Sequence, residues 1–206
     1  MAGPAGRVVG IDLDAVKLQA ASEEAARQGL RIEFRQANVY EWSERAVYDR
    51  IYTRFLLTHL PTPLGAVERM RCALRSGGVL VVEDIDFSGS FCHPPSPAFE
   101  RYQQLYREVV RKRGADADIG PKLHSLLTQA GLLDVKIDLV HPFHLDGEAK
   151  EMALVTLVNI ADAVIAEGLA TASELDAVID ELDKYTRRTD TILSYPRVFQ
   201  AWGRRA

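Results

Sequence analysis

Cysteine is scarce in this chain of 206 residues: Cys72 and Cys92 are the only two. They have no metal-ligand spacing and cannot form a disulfide framework, so a reducing, cytoplasmic setting is the expectation. A dominant charge is lacking as well: 25 Lys and Arg stand against 29 Asp and Glu, for a net charge of -4. With no long basic run, general nucleic-acid binding is not expected, and the Arg204-Arg205 pair is too short to alter that. Long hydrophobic runs are missing. The most apolar long stretch, Ala153 to Ala166, is broken by Asn159 and Asp162 and is too short and polar to span a membrane. A charged region followed by an apolar one is not found at the N-terminus, so no signal peptide is read. His93, His124, His141 and His144 are scattered, without H-E-x-x-H or Cys/His pair spacing, and no metal is expected.

What remains is a chain that is 47% hydrophobic and 26% charged, enough to fold around a core as one domain with a lid or insertion. Its organising stretch is Arg7-Val8-Val9-Gly10-Ile11-Asp12-Leu13-Asp14. Val8, Val9 and Ile11 are β-branched and fit a strand buried on both faces. Asp12 stops the run where the chain leaves the sheet. In open α/β sheets ligands bind outside the carboxyl ends of strands, and an acid there accepts hydrogen bonds from ribose hydroxyls. The alternative is that Asp12 or Asp14 caps the helix starting near Ala15.

That helix runs to about Gln28, with Gly29 as its stop signal. Arg31 to Gln36 alternates and reads as a strand, with Asn38-Val39 at its carboxyl end. Tyr48 to Phe55 is a third strand, followed by the loop Leu57-Thr58-His59-Leu60-Pro61. A helix from about Pro63 to Leu74 places Leu64, Val67, Met70 and Leu74 on one face. Ser76-Gly77-Gly78 ends it, and Val79 to Val82 is a fourth strand closing in Glu83-Asp84-Ile85-Asp86. The alternation favours a mostly parallel sheet with helices on both faces. The polar strand ends should cluster on one edge, as a ligand crevice requires.

Beyond a Pro- and Ser-rich loop, Ser90 to Pro97, helices are expected over Pro97 to Arg113, Ile119 to Ala130, Ala149 to Leu169 and Ser173 to Arg187. Ser173 is the expected cap of the last. Leu133 to Val140 and Tyr195 to Trp202 read as strands. Phe99, Tyr102 and Tyr106 form an aromatic stripe that either packs or lines a pocket. The Ile119-Gly120-Pro121-Lys122 turn either faces that pocket or simply starts a helix.

The order GID, QANV, YDRIYTRFLLTHL and MRCALRSGGVLVVEDID resembles class I S-adenosylmethionine-dependent methyltransferases over about residues 6 to 88. The most specific piece is Leu74-Arg75-Ser76-Gly77-Gly78 followed by an apolar strand, usually LRPGG in that family. The second is Phe55-Leu56-Leu57-Thr58-His59-Leu60. The resemblance implies a Rossmann-like α/β sheet, mostly parallel with an antiparallel last strand, in a single domain over residues 1–206. Residues 90–130 and 145–190 would form a helical cap. It implies S-adenosylmethionine as cofactor, with Asp12 on the ribose and Leu13 against the adenine. Asn38, where the family usually has Asp, and the Val39 backbone N–H would meet the adenine edge. Arg54 and Phe55 would lie beside the methionine part and the methyl group.

One departure stands out. In the family a strand and a G-x-G-x-G loop precede the strand ending in the ribose-binding acid, and the six residues before Arg7 do not contain them. Such glycines let the backbone approach a nucleotide closely. The expectation is therefore an N-terminally incomplete methyltransferase. The missing strand would be central, so the Asp12 strand either pairs with the Tyr48–Phe55 strand or leaves exposed edges that invite association, a homodimer included.

Methyl transfer is an in-line displacement from a sulfonium, in which protein groups mainly orient the reactants and keep the site dry. His59 is the candidate general base, or else a histidine that holds its loop. Asp86, with Asp84 on the same strand face, is a candidate for binding a substrate amine or alcohol, or else a turn-forming acid. The expected function is methylation of a small-molecule acceptor. The alternative is a non-catalytic remnant that dimerises or binds a partner through its broken sheet. A nicotinamide-dependent dehydrogenase ranks last, because neither G-x-G-x-x-G nor a Tyr-x-x-x-Lys pair is found.

Overall fold

The computed structural model describes residue 3 and residues 5–206. The first strand, β1 (Val8–Asp12), pairs in parallel with β2 (Ile32–Gln36), and α1 (Ala15–Arg27) connects them. Asp14 caps α1, accepting hydrogen bonds from the Val16 and Lys17 N–H groups at 2.8 and 3.3 Å. This satisfies two of the donors a helix start leaves free. The cap question is thus answered in favour of Asp14.

The main sheet has the order β3-β4-β9-β6, built from β3 (Tyr48–Arg54), β4 (Leu74–Asp86), β6 (Leu133–Val140) and β9 (Arg197–Arg204). On one face lie α2 (Pro63–Ala73) and α4 (Leu123–Gln129). They bury Val67, Met70, Leu80, Val82, Leu123, Leu127 and Ala201 in one core. The opposite face is not the helix-covered one that alternation suggested. Tyr52 is exposed on it, and Val81 and Trp202 are half-buried there, in register across β3, β4 and β9.

A second core belongs to the cap. Helix α3 (Pro97–Lys112) packs with α5 (Met152–Asn159), α6 (Ala161–Ala166) and α7 (Ala172–Arg187). Phe99, Leu105, Leu157, Val164 and Leu182 fill it. The aromatic stripe is packing: Phe99, Tyr102 and Tyr106 are buried, and Tyr106 stacks on Phe87 with ring centroids 4.2 Å apart. A small sheet, order β5-β8-β7, closes the cap with β5 (Cys92–His93), β7 (Phe143–His144) and β8 (Ile192–Ser194). None of these three short strands was legible beforehand.

Several expectations are corrected. The strands divide among three sheets rather than forming one, and among the described residues two pairings are parallel and four antiparallel. The cause is β9, which runs antiparallel between β4 and β6, together with the all-antiparallel small sheet. Strand β1 is not buried on both faces: Val8 is 40% exposed and its neighbours are half-buried, because only one of its edges is paired. The Ser76-Gly77-Gly78 segment does not precede β4 but lies within it. Gly77 takes φ +77°, which favours glycine, and a β-carbon at Gly78 would sit 2.9 Å from the Arg75 carbonyl oxygen. The cap of α7 is Thr171, not Ser173. Thr171 and Glu174 form a reciprocal capping box. The expected helix from Ala149 to Leu169 is a short 3-10 turn, Glu148–Glu151, followed by α5 and α6.

Candidate active site

The two edges that face each other across the break, those of β1 and β3, do not pair. Between them lies a cavity of about 400 Å³, lined along most of both strands, by Val9 to Leu13 and by Tyr48 and Arg50 to Thr53. Its floor comes from Leu56, Leu60 and Met70, and Ala37, Asn38 and Val39 enter it from the end of β2. Of the two outcomes expected for these edges, the structure shows the open one.

Four sequence-predicted residues meet here: Asp12, Leu13, Asn38 and Val39 all line this cavity. Asp12 ends β1 and accepts the Asp14 N–H through Oδ1 at 2.9 Å. Its other oxygen takes no hydrogen bond among the described residues and remains a free acceptor. Leu13 is 65% exposed, an apolar surface beside that carboxylate. Asn38 is committed to its own turn, accepting the Tyr40 N–H at 3.0 Å and donating to Glu41 at 3.3 Å. Gly10 also lines the cavity, but a β-carbon there would meet the Phe34 ring at 2.9 Å, so its small size serves packing against β2.

Arg54 and Phe55 do not line the cavity, although Thr53 and Leu56 on either side do. The Arg54 guanidinium lies 4.5 Å from the Phe55 ring centroid and its Nε is 3.4 Å from Glu83. Glu83 also accepts the Tyr52 hydroxyl at 2.8 Å and the Gln200 amide at 2.6 Å. Phe55 has φ +53°. A bulky residue in the left-handed region is uncommon and strained, and such outliers concentrate at functional sites.

His59 closes the 3-10 turn Leu57–His59 that follows β3. It is open to solvent on one side. Protein packed around its ring, and then the Arg113 and Lys17 cations, disfavour imidazolium and lower its pKa. The turn itself hangs on Asp84. That fully buried carboxylate accepts the Leu57 and Thr58 N–H groups at 2.8 and 3.2 Å and the Ile85 N–H at 2.9 Å. Burial outweighs these donors and raises its pKa to about 6. Asp86, only 2% exposed, pairs with Arg197 at 2.6 Å and accepts the Ser88 N–H and hydroxyl at 3.0 and 2.5 Å. His59 and Asp86 are therefore very different groups: one accessible, the other already partnered.

Sequence reasoning missed Arg197 and Asp84 as holders of the site. Arg197 opens a strand far along the chain, and no local pattern marks it as the partner of Asp86. Asp84 reads in the sequence as one of a pair of acids, but its grip on the Leu57–His59 turn depends on the neighbouring strand's loop.

Comparison with known proteins places these features in a family. The description "methyltransferase domain" fits residues 1–131. The chain is 32% identical over 92 residues to the ubiquinone biosynthesis O-methyltransferase of Histophilus somni. That match spans 42% of this chain and 39% of the relative. In structure it is similar to YcgJ of Bacillus subtilis, with a TM-score of 0.59 at 14% identity, covering 97% of this chain and 83% of that one. It is also similar to phosphoethanolamine N-methyltransferase 2 of Haemonchus contortus, solved with S-adenosyl-L-methionine. There the TM-score is 0.56 at 16% identity, over 97% of this chain and 44% of the other. The fold is the Rossmann-like class I methyltransferase fold with an α-helical cap, and the chain belongs to the methyltransferase domain family.

Proposed function

We propose that this protein binds S-adenosylmethionine at the carboxyl ends of β1 and β2 and transfers its methyl group to a small-molecule acceptor. The observation that carries this is the free carboxylate oxygen of Asp12 at the rim of a cavity that Leu13, Asn38 and Val39 also line. A ribose diol supplies the two donors an aspartate accepts, and the exposed Leu13 offers an apolar contact for a purine. The chemistry of these residues fits the adenosine end of the cofactor. Asn38 fits with one condition: to meet the adenine edge it gives up its bond to Glu41. Arg54 and Phe55, between the cavity-lining Thr53 and Leu56, are assigned to the methionine end, beside the Glu83 carboxylate that the Arg54 guanidinium pairs with.

When bound, the sulfonium supplies an electrophilic methyl carbon. This chain's residues would orient the acceptor's nucleophilic oxygen or nitrogen toward that carbon and keep water out. His59 takes the acceptor's proton, in keeping with an imidazole held neutral by its surroundings. Asp86 acts in this reading through Arg197, whose guanidinium it orients at the start of β9. Relatives named for O- and N-methylation of small molecules support the acceptor class. The setting is cytoplasmic, consistent with two free cysteines. Among the described residues no helix is long and apolar enough to cross a membrane.

The test is release of S-adenosylhomocysteine from labelled cofactor in the presence of mixed small phenols and amines. Turnover that His59→Gln reduces by about two orders of magnitude, the usual weight of a general base, is the expected result. A second reading, a partner-binding protein without turnover, is favoured by the unpaired edges of β1 and β3. No turnover with any acceptor, together with no cofactor binding, brings that reading forward.

A further inference from the structure

Strand β6 ends the main sheet, and its outer edge has no partner among the described residues. Its exposure is unusual for so apolar a sequence. Ile137 is 39% exposed, Leu139 and Val140 are 46% exposed, and Leu133 is 52% exposed. Unpaired edges are normally blunted by lysine or by bulges. The only irregularity here lies between Leu133 and Lys136, leaving residues 136–140 in unbroken register with β9. Lys136 is the one edge lysine in that run, and Asp138 follows two residues later on the same face. Neither enters an ion pair among the described residues. The Asp138 carboxylate instead takes the Leu139 N–H at 2.8 Å, a local cap within the edge strand.

The sequence of this edge is complementary to itself. In an antiparallel pairing of two β6 strands about a two-fold axis through Ile137, residue 136 of each copy stands opposite residue 138 of the other. Lys136 then meets Asp138 twice. On the other face Ile137 meets its own copy, and Val135 meets Leu139 twice. Every apolar side chain from 135 to 139 faces an apolar one, and every charge faces its opposite. Shifting the register by two residues sets Lys136 against Lys136 or Asp138 against Asp138, and like charges directly opposite are destabilising. Two-fold pairing of one patch with itself is the geometry of the commonest oligomers.

We infer that β6 is a homodimer interface: a second copy of this chain adds its own β6 antiparallel, centred on Ile137, and joins two four-stranded sheets into one of eight strands. The lysine that would repel a random partner becomes a selector for this one, since only the Ile137-centred register neutralises it. The surface is separate from the cavity between β1 and β3, so the pairing does not depend on cofactor binding.

The experiment is sedimentation velocity of the full chain at several concentrations, with three variants: Lys136→Glu, Asp138→Lys and the double swap. The wild type is expected to dimerise. Each single variant places like charges opposite one another twice and should weaken the dimer about tenfold, taking cross-strand charge pairs at their usual weight. The double swap restores opposite charges and should restore the dimer. Backbone amides of residues 135–139 should exchange more slowly with deuterium at dimer concentrations than at monomer concentrations. A wild type that stays monomeric, single variants that dimerise as well as the wild type, or a dimer without protection at 135–139 overturns the inference. Failure of the double swap to recover the dimer, with the variant folded by circular dichroism, overturns the register.

Discussion

Asp84→Asn should flatten the pH dependence of stability between about pH 4 and pH 7. The carboxylate is fully buried, and its pKa is raised from 3.8 to about 6 by desolvation, against backbone N–H groups of Ile85, Thr58, Leu57 and Leu56 that pull it down. The folded state therefore holds this proton more tightly than the unfolded chain. Stability from this group is greatest below pH 3.8 and declines as pH rises to about 6, because unfolding at those pH values means releasing a proton. A shift of about two units corresponds to about 3 kcal/mol, at 1.36 kcal/mol per unit. Acids with lowered pKa values, such as Glu33 at about 2, act in the opposite direction but only below 4.5. The window from 4.5 to 6 therefore belongs to Asp84 among the carboxylates with shifted pKa values.

The assay is urea unfolding of wild type and Asp84→Asn at half-unit steps from pH 4.5 to 7.5. Asparagine keeps the shape and one acceptor but turns a donor toward the Ile85 N–H, so it costs some stability at every pH. The informative quantity is the difference between the two curves. It should move in the variant's favour by about 2 to 3 kcal/mol as pH rises. Parallel curves refute the reasoning. They mean that the N–H donors match or outweigh burial and that the carboxylate is ionised throughout this range.

Other outcomes follow from the same geometry. Leu80→Ala empties a fully buried position between α2, α4 and the main sheet, and should cost about 3 kcal/mol by urea midpoint. Thr171→Ala removes the capping box of α7 and should cost about 1 kcal/mol, measured by thermal unfolding of the full chain. Arg197→Ala leaves the Asp86 carboxylate buried without its cation, and should cost about 3 kcal/mol or more by the same measurement. In an active enzyme the acid limb of kcat/KM should lie below 6.5, since the His59 pKa is lowered and catalysis needs its neutral form; His59→Gln should erase that limb.

The sequence was readable where one local signal decides the structure. The β-branched run before Asp12, the Pro63 helix start and the Val79 to Val82 run all lie in elements of the expected type. Where two distant segments decide together, it was not. Burial of β1 on both faces was inferred from composition, yet only a neighbour on its second edge could have buried Val8. Residues 76 to 78 look like a loop because two glycines follow a serine; they form an irregularity inside β4, where the register with β3 jumps from Leu74 to Val79 and Gly77 and Gly78 bond the Arg205 backbone. Arg197 and Asp86 form one ion pair across the ends of two antiparallel strands far apart in sequence, with no shared local pattern. Asp12, Leu13, Asn38 and Val39 come to line one cavity because they lie at or just beyond the ends of the paired strands β1 and β2, which local pattern marks. The strained Phe55 backbone and the hold of Asp84 on the His59 turn are tertiary features with no counterpart in spacing or composition.

The most direct measurement is isothermal titration of S-adenosylhomocysteine into this chain and into Asp12→Ala. The account predicts stoichiometric binding to the wild type and a loss of about tenfold to a hundredfold in the variant, the weight of hydrogen bonds to a charged acceptor. Equal affinity for both proteins would contradict the role given to Asp12. No binding to either would contradict the placement of the cofactor at this sheet edge.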